Sequence, residues 1–252
     1  DFQRAFKAQF NRDADEDERG HDRLPRLMGL PTAGEGAIYP YPDEMLLIDP
    51  IPIPDHWQRI IGLDFAHTIG TTAAVSCAYD KVTDTVYLVG EYKCKGGERA
   101  IHTAAVRGMG GEEVPCAWPH DGGRQQSGLP IKQHWIKDGV NMLKESAAYE
   151  VRGERGNWVL SNSVSAAIDD LSMRMATGRF KVFNTCPQFM LEKMTYVGEN
   201  GHPKRNLEDH LIDALHKALM SLRYAKSFDD FENGAPTQVA PIRKNFYRTR
   251  RR

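Results

Sequence analysis

Long apolar runs are missing from this 252-residue sequence. No stretch approaches the roughly twenty apolar residues of a membrane span, and no charged-then-apolar segment opens the chain, so neither a membrane partner nor a secretory leader is expected. Cysteine is scarce. Cys77, Cys94, Cys116 and Cys186 lie far apart, with neither Cys-x-x-Cys spacing nor a histidine at zinc-ligand spacing, and are read as reduced thiols of a cytoplasmic protein. No Gly-x-x-x-x-Gly-Lys-Ser/Thr occurs, so the phosphate-cradling loop of P-loop enzymes is absent from the sequence. A formal net charge of -1 excludes a polycation that coats nucleic acid along its whole surface.

At 40% hydrophobic content the chain can bury a sizeable core, and one α/β domain with irregular ends fits better than two equal domains. Residues 1–55 read as an N-terminal helix over Phe2 to Phe10, a mixed-charge stretch over Asn11 to Arg23, and a connector. Prolines 25, 31, 40, 42, 50, 52 and 54 mark that connector as extended and surface-crossing. Residues 56–228 form the core, and residues 229–252 a solvated basic tail, with Arg243, Lys244, Arg248, Arg250, Arg251 and Arg252 among its last ten residues. The start at Asp1 rather than at methionine leads us to expect a piece of a longer protein.

Within the core, Ile60 to Ala66, Ala73 to Tyr79 and Thr85 to Tyr92 read as three strands, the last two joined by turn residues Asp80 to Asp84, as in an antiparallel meander. A helix over Glu98 to Met109, a strand over Val114 to Trp118, a helix over Ile131 to Gly139 and a strand over Val140 to Leu143 follow. Asn162 to Thr177 is an amphipathic helix stopped by Gly178, leading into a strand over Arg179 to Phe183. Helices over Pro187 to Tyr196 and Leu207 to Tyr224 flank a turn at Gly198 to Pro203.

Acidic residues sit at the ends of these elements. Asp64 closes the apolar run Ile60-Ile61-Gly62-Leu63, where an ionised carboxylate is costly without a cation or hydrogen-bond donors. Asp121 follows the fourth strand, and Asp209 and Asp213 lie four apart, which puts both on one face if the last helix includes them, with His210 close by. Carboxylates so distributed suggest a site for hard divalent cations, since Mg²⁺ takes oxygen ligands and keeps several waters. Structural readings stand beside this one: Asp121 before two glycines as a turn former, Asp209 as a helix cap, and His67 and His120 as hydrogen-bonded structure.

The three-strand meander followed by alternating helices and strands resembles the ribonuclease H-like fold, a mixed central sheet flanked by helices. The pieces Gly34 to Pro40, Asp49-Pro50 through Trp57, Gly62-Leu63-Asp64-Phe65, Ala117 to Gly122, Thr177 to Phe183 and Asp209 to Ala214 together resemble the C-terminal nuclease domain of tailed-bacteriophage terminase large subunits. The resemblance implies a metal-dependent endonuclease that cuts concatemeric viral DNA during genome packaging, using two Mg²⁺ or Mn²⁺ ions. It implies catalytic and metal roles for Asp64, Asp121, Asp209 and Asp213, with His210 a weaker ligand. Double-stranded DNA, the portal protein and the small terminase subunit are the implied partners, and the cytoplasm of the infected bacterial host the location. The ATPase that drives packaging is expected upstream of Asp1. The loop Phe65 to Thr72 lacks the tryptophan and proline of many relatives, a departure that concerns the substrate-facing loop. The alternatives are a non-catalytic DNA-guiding or portal-docking module and, more remotely, an actin-like phosphotransferase, which needs a second phosphate loop that the chain lacks.

Overall fold

The computed structural model describes residues 36–65, 70–126, 128–152, 157–199, 202–204 and 207–232. The expected helix over Phe2 to Phe10, the mixed-charge stretch after it and the basic tail beyond residue 232 lie outside these residues, as does His67. Helix α1 (Asp43–Leu46) leads into a short strand, β1 (Leu47–Ile48). The meander β2 (Gln58–Asp64), β3 (Thr71–Asp80) and β4 (Thr85–Lys95) comes next, followed by α2 (Arg99–Val106) and β5 (Cys116–Ala117). Two small strands, β6 (Gln125–Gln126) and β7 (Leu129–Pro130), precede α3 (Ile131–Lys137). Then come the hairpin β8 (Tyr149–Arg152) and β9 (Trp158–Ser161), α4 (Val164–Ala176), β10 (Phe180–Phe183) and α5 (Pro187–Thr195). A second hairpin, β11 (Gly198–Glu199) and β12 (His202–Pro203), leads to α6 (His210–Met220) and a short α7 (Phe228–Glu232).

Six strands form one sheet in the order β1-β10-β4-β3-β2-β5. The meander is antiparallel, whereas β5 runs parallel to β2, and β1 and β10 run parallel to their neighbours. This is the expected mixed sheet. Its alternating residues feed two layers: Ile60, Val75 and Cys77 face a core shared with α4, α5 and α6, while Ile61, Leu63 and Ala74 face a smaller core with Val106, Trp118 and Trp135. Leu211, Ile212, Leu215 and Leu219 of α6 are all buried against the sheet, each burial favourable by roughly 1.5–3 kcal/mol. The helix comes so close to β2 that a Cβ on Gly62 would lie 1.9 Å from the Ala214 carbonyl oxygen, so only glycine fits there. Ser163 caps α4 by accepting from the Ala166 amide, and Gly178 ends it with φ 71°, as the sequence pattern predicts.

Four expectations need correction. The proline-rich segment is not a surface connector over residues 36–48, because Ile38, Tyr39, Tyr41 and Leu46 are buried in the main core and β1 forms the sheet edge, whereas residues 49–55 are irregular and largely exposed. Val140 to Leu143 contributes only a parallel bridge from Met142 to Cys116. The helix predicted to reach Met109 stops at Val106 and passes into a π turn over Arg107–Gly111, where Gly110 takes φ 94°. The last helix starts at His210 rather than Leu207, which leaves Asp209 at its N-cap position.

Candidate metal centre

Asp64 is the last residue of β2, and α6 crosses that strand at Gly62, so the first turns of α6 fall beside the Asp64 carboxylate. His210 Nδ1 donates to Asp64 Oδ2 at 2.9 Å. Burial pushes the Asp64 carboxyl above the ordinary aspartate range; the His210 bond opposes this and the neighbouring Asp213 adds to it. Burial followed by Asp213 holds the Asp209 carboxyl up at about 6. Asp213 goes the other way: burial raises it, but His216, Lys217 and His210 together bring it below its ordinary value. His210 is itself raised, chiefly by its bond to Asp64. Asp64, Asp209, His210 and Asp213 therefore form one electrostatic unit.

Asp121 follows the adjacent strand, β5. Because β5 and β2 are parallel, with Gly62 opposite Ala117, the 3-10 turn His120–Gly123 that follows β5 emerges at the same edge of the sheet as Asp64. A Cβ on Gly122 would come within 2.8 Å of both Phe65 and Trp118, so the turn carrying Asp121 presses on the residue after Asp64. The glycine following Asp121 thus serves close packing as well as the turn.

A further layer surrounds the acids. His216 is fully buried, with Nδ1 3.6 Å from Asp213 Oδ1 and Nε2 2.8 Å from the Tyr39 hydroxyl. Its burial favours the neutral ring. Lys217 adds a positive charge near Asp64 and Asp213. Glu192 of α5 accepts from the Leu211 and Ile212 amides and from Lys93. The sequence pattern had not singled out Tyr39, Lys93, Glu192, His216 or Lys217. The three- and four-residue offsets of His216 and Lys217 from Asp213 were readable on a helix face, whereas Tyr39, Lys93 and Glu192 arrive by tertiary packing alone.

Among the described residues, no three His, Cys, Asp or Glu side chains form a ready-made ligand cluster. The donor chemistry nonetheless fits a hard divalent cation: the set is carboxylate oxygen, without cysteine, and its crowded acids gain from added positive charge. Mg²⁺ is commonly held by one or two carboxylates with waters and substrate phosphates completing its shell, so a closed protein cage is not required.

Residues 61–222 match the family model described as the terminase RNase H-like domain. The terminase large subunit of Salmonella phage P22 is 31% identical over 231 residues, covering 89% of this chain and 44% of that protein. That of Enterobacteria phage LP7 is 32% identical over 206 residues, covering 81% of this chain and 41% of its own length. The chain thus spans less than half the length of these relatives. The solved P22 large terminase nuclease domain superposes with a TM-score of 0.68 at 31% identity, covering 79% of this chain and 98% of that one. The large terminase nuclease of thermophilic phage G20c, solved with bound magnesium, shares the fold at a TM-score of 0.52 and 12% identity, over 75% of this chain and 98% of that one. The sheet topology, the placement of the acids and these matches lead to one conclusion: the chain belongs to the RNase H-like nuclease domains of terminase large subunits.

Proposed function

We propose that this chain is a Mg²⁺- or Mn²⁺-dependent endodeoxyribonuclease that cuts concatemeric viral DNA during genome packaging in the cytoplasm of the infected bacterial host. It would act beside the portal protein and the small terminase subunit. The observation that carries the reading is the shared electrostatics of Asp64, Asp209 and Asp213 at the edge where Asp121 also emerges, an arrangement of acids that calls for a cation. The bound magnesium of the G20c nuclease supports the choice of ion.

In this reading Asp64, Asp121, Asp209 and Asp213 would hold two divalent ions. When bound, such a pair lowers the pKa of an attacking water and stabilises the leaving oxygen of an in-line displacement. His210 holds the Asp64 carboxylate in orientation through its 2.9 Å bond. His216, bonded to Tyr39, lies 3.6 Å from the Asp213 carboxylate and helps to keep it charged, as outer-shell partners do for metal-ligating carboxylates. Asp64 ends a strand of the sheet, Asp121 sits in the turn that follows the neighbouring strand, and Asp213 lies on a helix packed directly on the sheet, which favours precise placement.

Supercoiled plasmid incubated with the purified chain and Mg²⁺ or Mn²⁺ should be nicked and then degraded with little sequence preference, without ATP. Cleavage that survives excess chelator sinks the metal-dependent reading. Comparing Asp209→Ala with Asp213→Ala ranks the two as ligands, and Asp213 should matter at least as much.

A further inference from the structure

We propose that Glu192 is the N-terminal cap of α6, and that by taking this role from Asp209 it leaves the Asp209 carboxylate available to a divalent cation. The inference rests on the metal-site reading above. Asp209 occupies the N-cap position of α6, and aspartate there ordinarily accepts hydrogen bonds from the second or third amide of the helix. Its side chain makes no such bond. The two amides concerned belong to Leu211 and Ile212, and both donate to a single oxygen, Glu192 Oε2, at 2.7 and 3.1 Å. The other oxygen, Oε1, accepts from Lys93 Nζ at 2.7 Å. Glu192 is 5% exposed, so this carboxylate is nearly out of solvent and fully engaged.

The same device appears one step earlier in the chain. Cys186, at the N-cap position of α5, makes no side-chain cap either, and the Gln188 and Phe189 amides donate to the two oxygens of Glu91 at 2.9 and 2.8 Å. Glu91 on β4 thus fastens α5, and Glu192 on α5 fastens α6, with Lys93 of β4 tying the second joint back to the sheet. The pose of Asp209, His210 and Asp213 is thereby referred to β4 through two carboxylate caps. Glu192 is a positioning residue: it acts on the ligands through the helix that carries them.

The test is a double-mutant cycle read without DNA. Melting temperatures of the parent, Asp209→Ala, Glu192→Ala and the double variant are measured in chelator, and Mn²⁺ affinity by titration calorimetry. In the parent background, Asp209→Ala should cost no stability, because Asp209 caps nothing. In the Glu192→Ala background Asp209 becomes the only cap, and removing it should lower the melting temperature by a further ~2–4 °C. Glu192→Ala should weaken Mn²⁺ binding by roughly tenfold or more, the scale of an outer-shell loss, while Glu192→Gln, whose amide oxygen can accept both helix amides, should stay within about threefold of the parent. An equal cost of Asp209→Ala in both backgrounds overturns the proposal. So does a Glu192→Gln variant that loses as much affinity as Glu192→Ala, which would assign the effect to charge balance with Lys93. Should Glu192→Ala not fold, the Gln variant decides: parent-like affinity supports the cap, and a tenfold loss overturns it. A parent that binds no Mn²⁺ overturns the metal-site reading, and the melting cycle still decides whether Glu192 is the cap.

Discussion

The two ends of the β2–β3 pair hold acidic side chains in opposite electrical circumstances. At the Gln58–Tyr79 end, Asp84 accepts from Arg174 at 3.1 Å, Arg179 at 2.5 Å and the Tyr79 hydroxyl at 2.9 Å, while Arg174 also pairs with Asp170 at 3.3 Å. These partners bring the Asp84 carboxyl below its ordinary range despite the upward push of burial. At the Asp64–Ala73 end, Asp64 and Asp209 are pushed up, with His210 near both and Lys217 near Asp64 favouring the charged forms. One fold therefore contains an acid cluster neutralised by its own arginines and another left short of positive charge. Where a structure can neutralise acids and does so at only one end, the other end is the place to look for a cation.

Removing charge from the open end should abolish function at no cost in stability. Asp64→Asn should lower plasmid cleavage on the order of a thousandfold, as loss of a charge-stabilising group does at other catalytic sites, while the metal-free melting temperature holds or rises because carboxylate repulsion is relieved. If cleavage disappears only because the variant unfolds, the contrast between the two ends fails. Removing charge from the closed end should do the reverse. Arg174→Met leaves Asp84 and Asp170 without their buried partner and should destabilise the fold by about 3–5 kcal/mol in chemical denaturation, with cleavage kept at temperatures where the variant is folded.

The contrast also sharpens with added metal. Mn²⁺ at a hundredfold excess over its dissociation constant should stabilise the parent by about 2.7 kcal/mol, several degrees of melting temperature. Asp64→Asn combined with Asp213→Ala should remove that shift, whereas Asp84→Asn should preserve it. A shift that persists in the double variant means the ion binds elsewhere.

The open end was more legible in the sequence than the fold around it. Asp64 stood out because an apolar strand ends on it, and Asp213 because an otherwise buried helix face carries it. Asp209 was read either within a helix starting at Leu207 or as that helix's cap; it holds the N-cap position without capping, because the capping carboxylate is Glu192 on another element, which no local pattern reveals. The edge strand β1 is only two residues long, Leu47–Ile48, between Pro42 and Pro50, and the burial of Tyr39 and Tyr41 depends on partners far along the chain, His216 and Ser172. The β8–β9 hairpin was missed although Gly153 and Gly156 separate two short strand-like runs, so there the signal was present and unused.

The smallest expected effect concerns acid. Asp84 has a depressed carboxyl pKa in the folded chain, so the unfolded state binds the proton more readily and folding gains stability as pH rises. That contribution is fully present above the unfolded aspartate value of about 3.9 and is lost as pH falls through the lower folded value. Because the Asp84 side chain is 41% exposed, solvent screening should hold the effect below about 1 kcal/mol. Asp80, also depressed, chiefly by its bond from Thr83, shares the sign, so the parent alone cannot isolate Asp84. The difference between parent and Asp84→Asn can. Measured by denaturant unfolding, the parent's advantage should stay level from pH 7 to about pH 5 and shrink below about pH 4. A difference that stays flat down the acid limb would mean that the arginines do not hold this carboxylate in its charged form, and the closed end would lose the property that sets it apart.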